Sequence, residues 1–418
     1  MGNVHVRRLA AGVALALVIP AALVVGAGQQ SAAPAEAAPE RIDYLTFAQG
    51  AVPVSIGGAG AKLGADFERA VRITDGDATA FSVVSGAPAE TDTEFVYQLP
   101  ALTTFDRFAV PNVAETPSPT VTFTRAVEVH GSATSADAGF VLLASATLQA
   151  HKARGQVTEL ALAAKQPVRW VKLRLAGGIT VMTPTSSFEF SEIVGNGTQE
   201  TPVLATGFNG AWRTQANRVQ LAQRGPVVSG CYDRTGDLAG TVTGNILRAT
   251  GLNRFDKTPS QFILSVAADG SLRGVRSTNR GPFRLYTVAP APPGTDVDCA
   301  QPAPPSLGCG SIVHGIAFDF DSANIRPESA AVLEELFRGL QAASGKILIE
   351  GHTSSEGTEE YNQRLSERRA QAVVTDLVRR GLAKDRVSAA GIGERRPIAS
   401  NNDESGRSLN RRVEVQCQ

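Results

Sequence analysis

Apolar and polar residues alternate in short runs through most of this chain, and a 3.6-residue apolar period replaces that alternation toward its C-terminus. Between about residues 42 and 198, the runs Phe95-Val-Tyr-Gln-Leu99, Arg107-Phe-Ala-Val110, Ala126-Val-Glu-Val-His130, Gly139-Phe-Val-Leu-Leu143, Val168-Arg-Trp-Val-Lys-Leu-Arg-Leu175 and Phe188-Glu-Phe-Ser-Glu-Ile193 read as strands. Turn-rich pieces such as Thr74-Asp-Gly-Asp77 and Pro117-Ser-Pro119 separate them, so the segment is expected to be a β-sandwich. A second β segment, 203–288, holds Trp212, Val219 to Tyr232, Gly236 to Asn245, Phe262 to Val266, Gly270 to Gly274 and Phe283 to Tyr286. Its Asp269-Gly270 pair is a hairpin signal, and the meander is expected to curl into a small antiparallel barrel filled by its own side chains. Proline tracts at Ala289-Pro-Ala-Pro-Pro-Gly294 and Gln301-Pro-Ala-Pro-Pro-Ser306 predict a stiff linker over 289–308.

The texture then changes. Gly315-Ile-Ala-Phe-Asp-Phe320 reads as a strand, and Pro327 opens a helix whose apolar face is Val332, Leu333, Leu336, Phe337 and Leu340. Lys346 to Glu350 is a second strand, and Ala370, Val373, Val374, Leu377 and Val378 mark a second helix that stops at Gly381. Arg386 to Gly391 and Arg411 to Gln416 supply two more strands. The βαβαββ order predicts an α+β domain over 309–418, with helices packed on a mixed sheet. The whole is thus expected to be multidomain: two all-β domains followed by one α+β domain.

Composition narrows the function classes. At 418 residues, 43% hydrophobic and 19% charged, the chain is ordinary globular material with room for several cores. Forty basic and forty acidic side chains cancel, so no global field draws it to nucleic acid. Arg7 and Arg8, an apolar run from Leu9 to about Gly26 and a small-residue stretch from Ser31 to Ala38 predict a secretory signal peptide over 1–38. An uncleaved anchor is the alternative; Pro20 and the Ala/Pro tail favour cleavage, and the absence of cysteine there argues against a lipoprotein. Four cysteines fit an oxidising compartment such as the periplasm or envelope. Three pairings exist; Cys231 with Cys299 and Cys309 with Cys417 is favoured because each pair then closes one expected domain. No nucleophile elbow, phosphate-cradling loop or metal-ligand cluster is present, and His5, His130, His151, His314 and His352 have no partner at ligand spacing. The expectation is a non-enzyme without cofactor. Asp75 and Asp77 either ligate calcium around their glycine turn or form a plain solvated turn.

Three resemblances follow. Asp75-Gly-Asp77, Val127 to Ser132, Arg169 to Leu175 and Glu192-Ile-Val-Gly195 resemble in order the discoidin-like, galactose-binding-like sandwiches, which implies a glycan or protein partner. The 203–300 meander resembles calycin-like barrels. Phe318-Asp-Phe-Asp-Ser-Ala323, Ile349-Glu-Gly-His-Thr353, Gly357, Asn362, Leu365-Ser-Glu-Arg-Arg-Ala370, Gly391-Ile-Gly-Glu394, Pro397, Asn401, Gly406-Arg407 and Asn410-Arg-Arg-Val-Glu414 follow the OmpA-like peptidoglycan-binding pattern over about 312–416.

That last resemblance implies a ligand, the diaminopimelate-bearing stem peptide of peptidoglycan, and a site. Arg369 matches the arginine that grips the ligand carboxylate; a planar guanidinium fork holds a carboxylate by two parallel hydrogen bonds, which lysine cannot do. Asn362, Leu365, Ser366 and Arg369 share a helix face by spacing, bordering the His352–Gly357 loop that carries Thr353, and Asp321 frames the same cleft. The pairing of Arg369 with Glu350, Glu367 or Asp376 is the structural alternative. One departure stands out. Family members carry aspartate after G-H-T, where it meets the ligand's ammonium, and this chain has Ser354. Loss of a charge-assisted hydrogen bond costs roughly 1.5–3 kcal/mol, ten- to a hundredfold in affinity. Glu356 or Glu360 could compensate, the site could prefer a modified stem peptide, or binding could be weak. A flagellar-stator-like relative needs a membrane span beyond the signal, and a membrane barrel needs regular lipid-facing strands over 42–300; neither pattern is present.

Overall fold

The computed structural model describes residues 41–63, 65–79, 81–87, 92–111, 122–148, 156–178, 186–292, 294 and 305–418. The expected signal peptide, the Pro117-Ser-Pro119 turn, His5, His151 and Cys299 lie outside them. Among these residues, no helix is long and apolar enough to cross a membrane.

The first β region holds strands β1 (Val52–Gly58), β2 (Phe81–Ala87), β3 (Asp92–Pro111), β4 (Thr122–Ser132), β5 (Val141–Thr147), β6 (Val157–Glu159), β7 (Ala161–Leu162), β8 (Pro167–Gly178), β9 (Ser186–Phe190) and β10 (Val194–Gln199), with a short helix α1 (Phe67–Arg72). They are hydrogen-bonded into one curled sheet, where a sandwich of two sheets was expected. The cause lies in β3, a 20-residue strand. Its N-terminal half pairs with β1 and its C-terminal half with β10, while β8 follows it across a register break between Gln98 and Thr103. Pro100 sits in that break; lacking an N–H, it cannot continue a ladder, and the sheet bends there. Alternation fills the inside with Phe95, Tyr97, Leu99, Val171, Leu173 and Leu175. The outer face carries cross-strand ion pairs, Lys172–Glu94 at 3.5 Å and Arg174–Asp92 at 3.2 Å.

The second region is an up-and-down meander of eight described strands: β11 (Gly210–Arg213), β12 (Arg218–Arg224), β13 (Val227–Tyr232), β14 (Gly236–Thr243), β15 (Ile246–Asn253), β16 (Pro259–Val266), β17 (Leu272–Thr278) and β18 (Arg284–Val288). Each pairs antiparallel with the next, and the sheet nearly closes on itself. The closing pairs are Arg213 N to Ala289 O at 2.8 Å and Ala291 N to Ala211 O at 2.9 Å, so the start of the proline-rich stretch serves as the barrel's last edge. Phe208, Trp212, Leu221, Tyr232, Phe262 and Leu264 fill the interior. Arg276 lies 4.8 Å from the Tyr232 ring and 5.1 Å from that of Phe262, and pairs with Asp233 at 2.5 Å.

In the C-terminal region β19 (Ile312–Val313), α2 (Ala330–Gln341), β20 (Ile347–His352), α3 (Glu359–Arg379), β21 (Val387–Gly393), α4 (Glu404–Asn410) and β22 (Val413–Cys417) build a four-stranded mixed sheet in the order β19-β22-β20-β21. Helices α2 and α3 bury Val332, Leu336, Leu340, Val373 and Leu377 against Ile347, Ile349, Val413 and Val415. Thr358 caps α3, and Gly381, at φ 115°, ends it in a left-handed turn. Cys309 and Cys417 form a disulfide, as expected; Cys231 is also oxidised. Two features depart from expectation. The stretch Gly315 to Phe320 is not a strand, because Gly315 turns at φ 79° and the His314 and Gly315 carbonyls accept from Thr241 and Thr243 of the barrel. The helix α4 was not anticipated.

These contacts are part of a larger seam, since residues 39–418 form one compact unit. Phe47, Val52 and Val71 of the first region, Ile246, Ile263 and Val275 of the barrel, and Ala399 and Leu409 of the C-terminal region share one apolar cluster. Arg248 donates to the Ala48 carbonyl, and Asn245 to that of Gly50 at 3.0 Å. Asp43, which accepts from Leu45 N and Gly195 N, is pushed from its ordinary 3.8 up to about 7, chiefly by burial. A carboxyl whose folded-state pKa is raised binds its proton more readily when folded, so its linked stability is present at acid pH and is lost as pH rises from 3.8 through about 7. Asp43→Asn keeps the acceptor oxygen and is expected to flatten that decline in a Tm-versus-pH series. An unchanged pH profile would contradict the assignment.

Candidate functional site

The site is organised by the close approach of α3 to β20 and β21. A Cβ on Gly351 would lie 2.3 Å from Ser366 O, and one on Gly391 would lie 2.6 Å from Glu367 N, so only glycine lets the helix sit there. Ser366 locks the contact: its hydroxyl donates to Gln363 O and accepts from Gly393 N, both at 2.9 Å. Asn362 and Leu365 are buried on the same face, and Asn362 Nδ2 donates to Glu394 Oε2 at 2.5 Å.

Arg369 projects one turn further along α3, toward the loop after β19. Its Nε donates to Ser322 O at 3.0 Å, and its guanidinium carbon lies 4.9 Å from the centroid of the Phe318 ring. One edge of the fork is thus fixed and one face stacked. Burial, followed by the nearby Arg411, pulls its pKa down to about 10, so it remains a cation at neutral pH. The structural alternatives fall away: Glu350 pairs with Arg396 at 2.7 Å, Asp376 pairs with Arg380 at 2.5 Å, and Glu367 is exposed. Among the described residues no carboxylate forms an ion pair with Arg369. Asp321, in the left-handed region at φ 46°, accepts from the Tyr361 hydroxyl.

In the loop after β20 Thr353 and Ser354 are both buried, and Thr353 Oγ1 has no hydrogen-bond partner among the described residues. Ser354 Oγ donates to Glu356 Oε2 at 2.8 Å. Glu356 is held in turn by Arg411 Nη1 at 3.3 Å and Arg407 Nε at 3.4 Å. Glu360 is exposed and does not reach Ser354. A carboxylate therefore stands one hydrogen bond from the position where the resemblance implies aspartate. Sequence reasoning missed Arg407, Arg411, Tyr361 and Phe318 as parts of this site; all four lie within or beside quoted motifs, but nothing local tells which charge faces which.

Two other clusters bear on metals. Glu350, His352 and Glu414 bring their ligand atoms within 4.8 Å of one another, and neither ring nitrogen of His352 has a hydrogen-bond partner among the described residues. Arg396 on Glu350 and Arg412 on Glu414 already neutralise both carboxylates, and a dication would face two fixed cations, so the group is an ion-pair network under the sheet. Burial takes the His352 pKa down to about 3, with Arg412 and Arg396 adding to it. Asp75 and Asp77 accept from Asp77 N at 2.9 Å and Thr79 N at 3.0 Å, the Asx pattern of a turn. That turn is not simply solvated, because α4 docks on it.

Comparison with known proteins gives the following. The sequence profile of the OmpA family matches residues 317–411. The peptidoglycan-associated lipoprotein of Pseudomonas putida is 40% identical over 98 residues, 23% of this chain and 59% of that protein. Outer membrane porin F of Pseudomonas aeruginosa is 45% identical over 105 residues, 25% of this chain and 30% of that one. The chain thus spans less than two thirds of the length of both curated relatives. A crystal structure of the peptidoglycan-associated lipoprotein from Burkholderia pseudomallei aligns at 34% identity over 25% of this chain and 88% of that one, with a TM-score of 0.23. None of these comparisons supports the discoidin-like or calycin-like resemblance.

Ser366→Ala is expected to lower the urea midpoint of the full chain, because it strands the buried Gly393 N–H at a cost of about 1–3 kcal/mol. A midpoint equal to that of the wild type would show that this lock is not needed.

Proposed function

Because residues 317–411 are a C-terminal domain of the OmpA family, we propose that the protein binds peptidoglycan non-covalently through that domain and presents its two β regions to a glycan or protein partner. The observation that carries the reading is the state of Arg369: stacked on Phe318, fixed through Nε to Ser322 O, and unclaimed by any carboxylate of the described residues. A half-buried arginine oriented in this way is prepared to take a carboxylate on its remaining edge with little loss of side-chain freedom. The ligand carboxylate is that of the diaminopimelate side chain. Its ammonium lies toward Ser354 and Glu356, with Thr353, Asn362, Leu365 and Asp321 lining the cleft. The protein is non-catalytic on this reading and acts in the cell envelope, outside the cytoplasm, which the Cys309–Cys417 disulfide fits.

A second reading has one observation in its favour. Ser354 carries no charge of its own, and a domain that had given up its ligand would serve as a protein contact only. Co-sedimentation with purified diaminopimelate-type peptidoglycan separates the two. Arg369→Ala is expected to weaken binding by about tenfold or more, as expected for loss of a charge-assisted pair. Glu356→Gln weakens it too, and Ser354→Asp strengthens it. Equal sedimentation of all variants would remove the proposed site, and no sedimentation of the folded wild type would favour the second reading. Release of soluble muropeptides from the sacculi would contradict the non-catalytic assignment.

A further inference from the structure

The Asp75-Gly76-Asp77 turn lies in the first β region, more than three hundred residues from the last helix in sequence, yet the two are bonded backbone to backbone. Glu404 N donates to Asp75 O at 2.5 Å, and Arg407 Nη2 donates to Gly76 O at 3.2 Å, a pair separated by 331 positions. The turn is itself fixed from behind, since Gly76 N donates at 2.7 Å to Glu192, a residue only 2% exposed. From the docked helix the contacts run on toward the cleft. Arg407 Nε reaches Glu404 at 3.1 Å and Glu356 at 3.4 Å. Arg411 bridges Glu404 and Glu356, the latter at 3.3 Å, and Glu356 meets Ser354 at 2.8 Å. Every link is a short polar contact. The fit at the turn is close: a Cβ on Gly76, which sits at φ 79°, would lie 2.3 Å from Arg407 Nη2 and 2.8 Å from Glu404 Cβ.

We infer that the 75–77 turn is a positioning element for the wall-binding loop. By seating α4, it fixes Arg407 and Arg411 so that they hold Glu356 against Ser354. The first β region thereby sets where the replacement carboxylate stands, and the turn residues touch no ligand. The ligand part of this inference rests on the reading of residues 317–411 given above; the positioning part does not.

The test uses the full chain and the variants Gly76→Ala and Arg407→Met, each alone and combined with Ser354→Asp. The first readout is amide hydrogen exchange. Both single variants are expected to raise exchange at 353–357 and 404–411 by about tenfold, the scale of losing ~1.4 kcal/mol of local stability, while exchange in the barrel stays unchanged. The second readout is affinity for a soluble diaminopimelate-containing stem peptide. Gly76→Ala is expected to weaken it by about three- to tenfold, a coupling of the size seen within one polar network. In the Ser354→Asp background, where the acid sits on the loop itself, that loss shrinks to less than about twofold. Unchanged exchange at 353–357 in both variants overturns the positioning role, whether or not the peptide binds. An equal affinity loss in both backgrounds overturns it as well, because a general weakening of the fold would add independently of residue 354. Failure of the wild type to bind, with the exchange result intact, removes the ligand reading alone.

Discussion

Two acids and two arginines join the last helix of this molecule to the loop after β20. Glu356 and Glu404 each contact both Arg407 and Arg411, and all four stand where the first β region, α4 and the loop after β20 converge. Charges at a partly desolvated seam are tolerated only when paired. Removing one partner of such a set costs on the order of 1 kcal/mol, because Glu356 is 41% exposed and water screens the charge left behind. These contacts join the turn at 75–77, the helix and the loop.

The constraint also shapes the chemistry of the cleft. Arg369 and Arg411 are close enough for each to oppose the other's charge, and burial strengthens that opposition. On the proposed reading, a ligand carboxylate on Arg369 relieves it. Glu356 is tied to Arg407 and Arg411. Glu356, two residues after the position where the resemblance implies an acid, accepts from the Ser354 hydroxyl.

How much of this could be read from the sequence differs by region, for physical reasons. Helix α3 was legible because 21 residues give many turns of apolar period and end in a glycine. The place of Arg369 on α3 was legible from the helical spacing around it, whereas its contacts with Phe318 and Ser322 were not. Helix α4 has seven residues, too few for a periodic signal, and its start is marked only by the Asp403 cap. The alternation in β3 was visible as two strands, Phe95 to Leu99 and Arg107 to Val110, whereas the chain uses one long strand bent near Pro100. The seam was not legible at all. Contacts such as Arg248 to Ala48, Thr241 to His314 and Arg407 to Gly76 join positions 73 to 331 residues apart, and each residue alone reads as surface polarity in a strand or turn. Of the two acids weighed beside Ser354, Glu356 accepts from its hydroxyl and Glu360 is exposed.

The claim on which the account rests is that Arg369 receives the free carboxylate of the diaminopimelate side chain. The most direct measurement compares, by calorimetry on the full chain, a stem peptide with that carboxylate free and the same peptide with it amidated. The free acid is expected to bind more tightly, by about tenfold or more, the worth of one charge-assisted pair. This preference is expected to vanish in Arg369→Ala. Equal affinity for the two peptides in the wild type would contradict it.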